Sequence, residues 1–124
     1  MVLKVISGEF SVCSLTGIEG VSLEDEFCFL SRTDEELSLV CRSERVPAGA
    51  RKMEDGWRMF RVEGIVDFSL TGILSRLSSA LAEARIGVFA VSTFNTDYIL
   101  VRTADFDRAR EALRRIGCEW RDEK

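Results

Sequence analysis

The chain has 124 residues, 46% of them hydrophobic and 31% charged, and its formal net charge at pH 7 is −4. This balance is typical of a folded soluble domain rather than a disordered segment, and the acidic charge argues against nucleic acid as a partner. No apolar run approaches the roughly 20 residues of a membrane span, and the first four residues are too poor in apolar side chains for a signal peptide. We therefore expect a cytoplasmic protein that does not bind membranes.

The residue types that most catalytic and metal sites need are missing or scattered. The chain has no histidine, which removes the commonest general base and excludes Ser-His-Asp and Cys-His arrangements. Neither glycine-rich phosphate-binding motif occurs. The four cysteines, at positions 13, 28, 41 and 118, form no CxxC pair and are expected to be free, buried thiols. We expect no catalytic residues, no metal and no cofactor.

The N-terminal half carries few helical signals. Ser22 to Glu26 can form one turn, and Pro47 to Met53 can form one or two, with Pro47 at a first helical position. Short apolar stretches around Leu30 and Leu39 are typical of strands. Because so little helix cannot cover a sheet face, this half is expected to share its core with the second half.

The C-terminal half has a clearer periodicity. Apolar residues at helical spacing follow a possible cap at Ser69 and precede a possible helix stop at Gly87. The predicted elements are a strand at 57–66, a helix at 70–85, a β-hairpin at 87–101, a helix at 106–116 and a closing strand at 118–120. The predicted core comprises Phe60, Val62, Leu74, Leu77, Leu81, Phe89, Val91, Ile99, Val101, Leu113 and Ile116.

This order of elements, strand-helix-strand-strand-helix-strand, predicts a ferredoxin-like α+β fold with antiparallel sheets and helices on one face. The N-terminal half repeats it weakly, because aligning Leu30 with Val91, 61 residues later, also aligns Leu39 with Leu100. We therefore predict two βαββαβ modules: a degenerate one at residues 1–61 and a complete one at 62–124.

Two C-terminal stretches resemble a known family. Asp67-Phe68-Ser69-Leu70-Thr71-Gly72-Ile73-Leu74 and Ser92-Thr93-Phe94-Asn95-Thr96-Asp97-Tyr98-Ile99-Leu100-Val101 look like motifs of small bacterial tandem ACT-domain proteins. These are often labelled aspartate-kinase-like and are related to the arginine-sensing CASTOR proteins of animals. Ser31-Arg32-Thr33, followed by Glu36-Leu37-Ser38-Leu39-Val40, is similar to the first module of that group.

The resemblance implies a fold of two interlaced ACT modules, which are regulatory units that bind a ligand and have no active site. In such proteins amino acids bind at interfaces between modules, near the loop that leads into the first helix. Carried over by position, the ligand-binding residues are Asp67, Ser69, Thr71, Gly72, Ile73, Asn95, Thr96 and Asp97, with Ser38, Leu39 and Val40 from the first module.

The chemistry of these residues suits a free amino acid. Backbone N–H groups at the helix start, around Thr71 and Gly72, can bind a carboxylate, and Asp97, or alternatively Asp67, can bind the ammonium group. Each residue also has a structural explanation. Asp67 can cap a helix, Gly72 can allow tight helix–sheet packing, and Asp97 can shape a turn.

The favoured prediction is therefore a non-catalytic, allosteric regulatory protein that binds a free amino acid. A homodimer is expected because the helix-poor half leaves sheet surface to be covered. One alternative is an ACT-type oligomerisation or protein-interaction module with no ligand. A less favoured one is an enzyme on a ferredoxin-like fold, which would need a cleft with strongly perturbed titratable groups. The sequence names neither the ligand nor a downstream protein partner.

Overall fold

The computed structural model describes residues 1–63 and 70–122. In chain order the elements are β1 (Val2–Leu15), β2 (Phe29–Arg32), β3 (Leu37–Arg42), β4 (Ala50–Glu63), α1 (Leu70–Glu83), β5 (Phe89–Ser92), β6 (Asp97–Arg102), α2 (Phe106–Arg115) and β7 (Glu119–Asp122). Short 3-10 turns at Ser43–Arg45 and Thr103–Asp105 follow β3 and β6. The two long helices and the β5–β6 hairpin confirm the prediction for the C-terminal half. Neither described helix is long and apolar enough to cross a membrane.

The chain forms two compact units that are not successive halves. The helical unit combines Met1–Ser7 with Arg58–Lys124, and the loop unit is Gly8–Trp57. The boundaries therefore fall inside β1 and β4. This division departs from the predicted one at residue 61, because the start of β1 pairs in parallel with β7, with Val2 opposite Glu119.

The helical unit is an α+β structure of the ferredoxin-like type. Its strands follow the order β7-β1-β4-β6-β5, and both helices pack on one face of the sheet. The buried cluster beneath them takes Leu77 and Leu81 from α1, Ala109 and Leu113 from α2, and Phe60 from β4, among others. Helical spacing places the α1 and α2 side chains toward the sheet.

The outcome for the predicted core follows from the strand order. Phe60, Val62, Leu77, Leu81, Ile99, Val101 and Leu113 are buried in this cluster, and Leu74 and Ile116 pack against it. Phe89 and Val91 are only half-buried. Their assignment to the core was wrong, because β5 is the last strand in the order rather than an interior one.

Both helices end in the same way. The second residue after each helix has a left-handed backbone, with φ of 61° at Arg85 and 99° at Gly117. The following N–H donates five residues back, from Ile86 to the Leu81 carbonyl and from Cys118 to the Leu113 carbonyl. This is a Schellman arrangement. Gly117 was predicted correctly as the stop of α2, whereas the left-handed residue that stops α1 is Arg85 rather than Gly87.

The loop unit has the strand order β2-β3-β1-β4 and, among its described residues, no α-helix. Its buried cluster consists of Cys13, Leu15, Leu37, Leu39 and Cys41. The predicted turn near Ser22 is present as a hydrogen bond from the Asp25 N–H to the Ser22 carbonyl. The predicted helix at 47–53 is wrong, because β4 begins at Ala50.

The two units contain equivalent hairpins at an offset of 60 residues, not 61. β2 corresponds to β5, β3 to β6, and the 3-10 turn at Ser43–Arg45 to that at Thr103–Asp105. The hairpin turns match as well, since the Thr33 N–H donates to the Glu36 carbonyl and the Thr93 N–H to the Thr96 carbonyl. A shift of one residue exchanges the two faces of a strand, so the predicted alignment paired inward with outward side chains.

Candidate functional site

The predicted carboxylate-binding segment leads into α1. Asp67 and Ser69 lie outside the described residues. Helix α1 begins at Leu70, so Thr71, Gly72 and Ile73 are in its first turn. The first four N–H groups of a helix have no partner within the helix. This is consistent with the predicted role of these N–H groups in binding a carboxylate.

Gly72 and Ile73 differ in how closely other residues surround them. Among the described residues, a Cβ atom added to Gly72 would have no heavy atom within 4 Å, so tight packing against the described part of the sheet does not explain this glycine. Ile73 is 8% exposed and belongs to the buried cluster. Only the backbone of Ile73 is therefore available to a ligand.

The predicted ammonium-binding turn is held by a hydrogen-bond network. Thr96 donates its hydroxyl to the Val62 carbonyl at 2.8 Å, and Thr93 donates its hydroxyl to the Thr96 carbonyl at 3.1 Å. Ser92 donates to Oδ1 of Asp97 at 2.5 Å. Asn95 is exposed at the tip.

Asp97 is half-buried and starts β6 rather than lying in an exposed turn. Among the described residues its only side-chain partner is Ser92. A carboxylate can accept about four hydrogen bonds, so this side chain keeps capacity for a further donor. The geometry thus brings a carboxylate to the same end of the sheet as the strand that precedes α1.

Ser38, Leu39 and Val40 lie on β3 of the loop unit. These residues do not form a strand edge, because β3 pairs with β1 on one side and with β2 on the other. Val40 lies opposite Val12 of β1 and Phe29 of β2. The main-chain groups of an interior strand are used in its two ladders. Participation of these three residues in ligand binding stays a prediction.

A polar cluster that the sequence did not suggest lies on the other face of the helical unit's sheet. Arg61 contacts Oε2 of Glu63 at 3.1 Å and donates to the Tyr98 hydroxyl at 3.3 Å. Arg121 lies 3.9 Å from the other Glu63 oxygen. The alternation of side chains along a strand places Arg61 and Glu63 on the same face of β4, and this much could be predicted from the sequence. That Tyr98 joins the cluster follows only from the pairing of β4 with β6.

The charge of Arg61 is stabilised by this cluster. Burial by itself would lower its pKa, but the hydrogen bonds to Tyr98 and Glu63 outweigh burial and raise the pKa above its ordinary value. Asp97 has the strand parity of the buried Ile99, whereas Tyr98 has the opposite one. A ligand bound to Asp97 on the helix-bearing face would therefore not meet Arg61.

The described cysteines do not resemble catalytic nucleophiles. All four are free thiols, and burial raises the pKa of each, to about 12 for Cys41. A reactive thiol needs a lowered pKa. Within residues 1–63 and 70–122, no group of three or more Cys, Asp or Glu side chains is placed to hold a metal ion.

Comparison with known proteins gives the same architecture. Residues 52–115 match the family model of the ACT domain. A protein from Agobacterium tumefaciens is 32% identical, with a TM-score of 0.87 over 99% of this chain and 93% of that one. No curated protein is significantly similar in sequence.

Two aspartate kinase structures share the fold at low identity. The enzyme from Clostridium acetobutylicum is 15% identical, with a TM-score of 0.62 over 90% of this chain and 32% of that one. The regulatory subunit of aspartate kinase from Thermus thermophilus is 7% identical, with a TM-score of 0.58 over 86% of this chain and 90% of that one.

Proposed function

This chain belongs to the ACT domain family, and from that premise we propose that it is a non-catalytic regulatory protein that binds a free amino acid. The family match covers α1, the β5–β6 hairpin and α2, which are the elements that carry the candidate site. The observation that carries the proposal is the half-buried Asp97 carboxylate, whose only described side-chain partner is Ser92.

The proposed binding mode follows the charges of the ligand. The ligand carboxylate accepts from backbone N–H groups in the first turn of α1, where the helix dipole is positive. Its ammonium group donates to Asp97, with Asp67 as the alternative. No described residue lies within 4 Å of the Cβ position of Gly72, so the ligand can approach the backbone closely there.

Several finer features belong to this proposal. Two ACT modules in tandem are supported by the hairpins that repeat at 60 residues. Relation to the small aspartate-kinase-like proteins and the CASTOR sensors, allosteric control of a downstream protein, and a cytoplasmic location remain parts of the proposal.

A second candidate function is an ACT-type interaction module with no ligand. It is favoured by Phe94, whose side chain is fully exposed at the hairpin tip, and by the exposed Val88 just before β5. Both candidates include a homodimer. Light scattering should then give about twice the chain mass of 14.0 kDa, and a monomer at high concentration would contradict the dimer.

A panel of free amino acids separates the two candidates. A ligand at about 100 times its dissociation constant stabilises the folded state by about 2.7 kcal/mol, which appears as a rise of several degrees in melting temperature. Absence of any rise at millimolar concentration would favour the interaction module.

Calorimetric titration of variants then tests the mode of binding. Asp97→Ala should weaken binding by about 1.5–3 kcal/mol, the loss expected for a hydrogen bond to a charged group. Asp107→Ala is the matched control, because Asp107 is an exposed carboxylate on α2. Gly72→Val should block binding without unfolding the chain, because a Cβ atom at this position would meet none of the described residues within 4 Å. Unchanged affinity in Asp97→Ala would refute the ammonium assignment.

A further inference from the structure

Three of the four cysteines come together in the loop unit. Cys13 and Cys41 are members of its buried cluster, and Cys28 packs against that cluster. The fourth, Cys118, lies in the helical unit. All four are free thiols, and the proposed function uses none of them. Thiols gathered on one face of a sheet are candidates for disulfide formation if their backbones are close enough.

Strand register places Cys28 beside Cys41. Phe29 of β2 lies opposite Val40 of β3, so the residue before Phe29 comes opposite the residue after Val40. Directly opposite residues of an antiparallel pair have Cα atoms about 4.5–5.5 Å apart. A disulfide needs a Cα separation of about 4.4–6.8 Å, so these two cysteines can be joined without moving the backbone.

The other thiol of the cluster is less well placed. Cys13 and Cys28 are both near enough to Cys41 to raise its pKa, so proximity alone does not choose between them. Cys13, however, lies opposite Leu39, which makes it a diagonal neighbour of Cys41. Diagonal neighbours are about 7–8 Å apart, beyond the usual span of a disulfide.

The equivalent hairpin of the helical unit fills these two positions with valine. At the offset of 60 residues, Val88 corresponds to Cys28 and Val101 to Cys41. Val101 is fully buried and Val88 is 39% exposed, just as Cys41 is buried and Cys28 is half-buried. Because valine meets the packing needs of both positions, the sulfur atoms of the loop unit are not required for packing.

Both thiols can be reached by a small molecule. Cys28 is half-buried, and Cys41 lies in the wall of a cavity of about 370 Å³ within the loop unit. The charged side chains of that wall are those of Glu24, Asp25, Glu26, Glu44, Arg42 and Arg45. Carboxylates outnumber guanidinium groups, so the cavity repels an anionic oxidant and suits a neutral or cationic one.

We propose that Cys28 and Cys41 form a reversible disulfide, with a low-molecular-weight disulfide as the oxidant. The Cys28 thiolate attacks one sulfur of the oxidant, which forms a mixed disulfide and releases one small thiolate. The Cys41 thiolate then attacks the Cys28 sulfur and releases the second small thiolate. Two cysteine thiols are oxidised to one disulfide, one small disulfide is reduced to two thiols, and the cysteine protons pass to the released thiolates. This redox site goes beyond the proposed function.

The environment assigns the order of the two steps. Cys28 attacks first because it is the more exposed thiol. Burial raises the pKa of both thiols, that of Cys41 to about 12, so few thiolates exist at pH 7 and the exchange accelerates as the pH rises. In the second step the neighbouring Cys28 sulfur is held close, which favours attack by Cys41. The bond ties the open end of the β2–β3 hairpin and constrains the unfolded chain, so it stabilises the fold.

Incubation of the full, reduced chain with cystamine, a cationic disulfide, tests the proposal. Mass spectrometry after alkylation of the remaining thiols should show the loss of two hydrogen atoms, and proteolytic peptides should join Cys28 to Cys41. The bridge should form faster at pH 9 than at pH 7, and faster than with oxidised glutathione, which carries a net negative charge. Dithiothreitol should reverse it. A bridge from Cys13 to Cys41, no bridge at either pH, or a bridge that forms only in urea would overturn the proposal.

Variants test the role of each thiol. Cys41→Val should stop at the mixed disulfide on Cys28, and Cys28→Val should form no bridge, whereas the control Cys118→Ala should form it as the wild type does. Cys28→Ser, at a half-buried position, is a second variant that should fold and form no bridge. Oxidation should raise the melting temperature of the wild-type chain and leave that of Cys41→Val unchanged. A bridge to Cys41 that persists in Cys28→Val or Cys28→Ser would refute the assignment.

Discussion

The two compact units share a hairpin and differ in what covers it. In both, two short strands joined by a threonine-containing turn lead into a 3-10 turn. In the helical unit, α1 and α2 pack on the sheet, and the buried cluster has fourteen members among the described residues. In the loop unit the corresponding stretches are loops, and the cluster has five.

This difference shows that the hairpin and its cover are separable features of the fold. The hairpin depends on local turn chemistry and on a few apolar strand residues. The two helices contribute six of the fourteen residues in the buried cluster of the helical unit. Where they are missing, large apolar side chains are left exposed, such as Ile18 at 62% and Leu23 at 66% in the loop that follows β1.

The largest expected effect is the loss of stability when a core leucine is truncated, compared between the sheet packed against helices and the sheet packed against loops. Leu77→Ala in α1 should cost about 2–5 kcal/mol, because the fully buried side chain leaves a cavity between helix and sheet. Leu39→Ala should fall at the low end, about 2 kcal/mol, because loops collapse onto a cavity more easily than a helix does. Urea denaturation measures both, with the exposed Leu23→Ala as control. Equal losses of stability at Leu77 and Leu39 would contradict the expectation that loops collapse onto a cavity more easily than a helix does.

The elements predicted correctly are those whose signal is local. The apolar spacing of Leu77 and Leu81 indicates a helix whatever packs against it, and Gly117 marks a helix stop by its own conformational freedom. The strand order is not local. Nothing in the sequence around Phe89 shows that β5 is the last strand of the order, and nothing around Val2 shows that it pairs with Glu119.

The second expected effect is a pH dependence of stability in the loop unit. Burial, and then the nearby Cys13, Cys28 and Asp25, raise the pKa of Cys41 from 9.0 to about 12. Above pH 9 the unfolded chain loses this proton while the folded chain keeps it. Stability should therefore fall as the pH rises from 9 toward 12, by at most about 1.4 kcal/mol per pH unit for one proton.

A variant identifies Cys41 as the source. Between pH 8 and 10.5 the unfolding free energy of Cys41→Ala should fall less steeply than that of the wild-type chain. Cys118→Ala in the helical unit should change the slope less, because burial raises the Cys118 pKa while the N-terminal amino group and Arg76 lower it. Identical slopes in the wild type and Cys41→Ala would refute the assignment.

The candidate site shows the same limit of local signals. The sequence motifs identify the turn that holds Asp97 and the start of α1, because each is a short continuous stretch. They do not reveal that Ser38, Leu39 and Val40 belong to an interior strand, which depends on pairing with both neighbours. The pairing of Arg61 with Tyr98 depends on β4 and β6 being neighbours in the sheet, which the sequence does not show either.

The smallest expected effect tests whether the two hairpin turns are truly equivalent. The Thr33 hydroxyl accepts from the Glu36 N–H at 3.1 Å, and the Thr93 hydroxyl accepts from the Thr96 N–H at 3.4 Å. Thr33→Ala and Thr93→Ala should each cost about 0.5–1 kcal/mol, the net value of an exposed hydrogen bond. The loss should be slightly larger at Thr33, whose hydroxyl also accepts from the Glu35 N–H at 3.1 Å. Serine keeps the hydroxyl, so Thr→Ser at either position should restore most of the loss in chemical denaturation. A large loss at one position with none at the other would mean that the turns match in shape only, and that one hairpin is held by its surroundings rather than by its own turn.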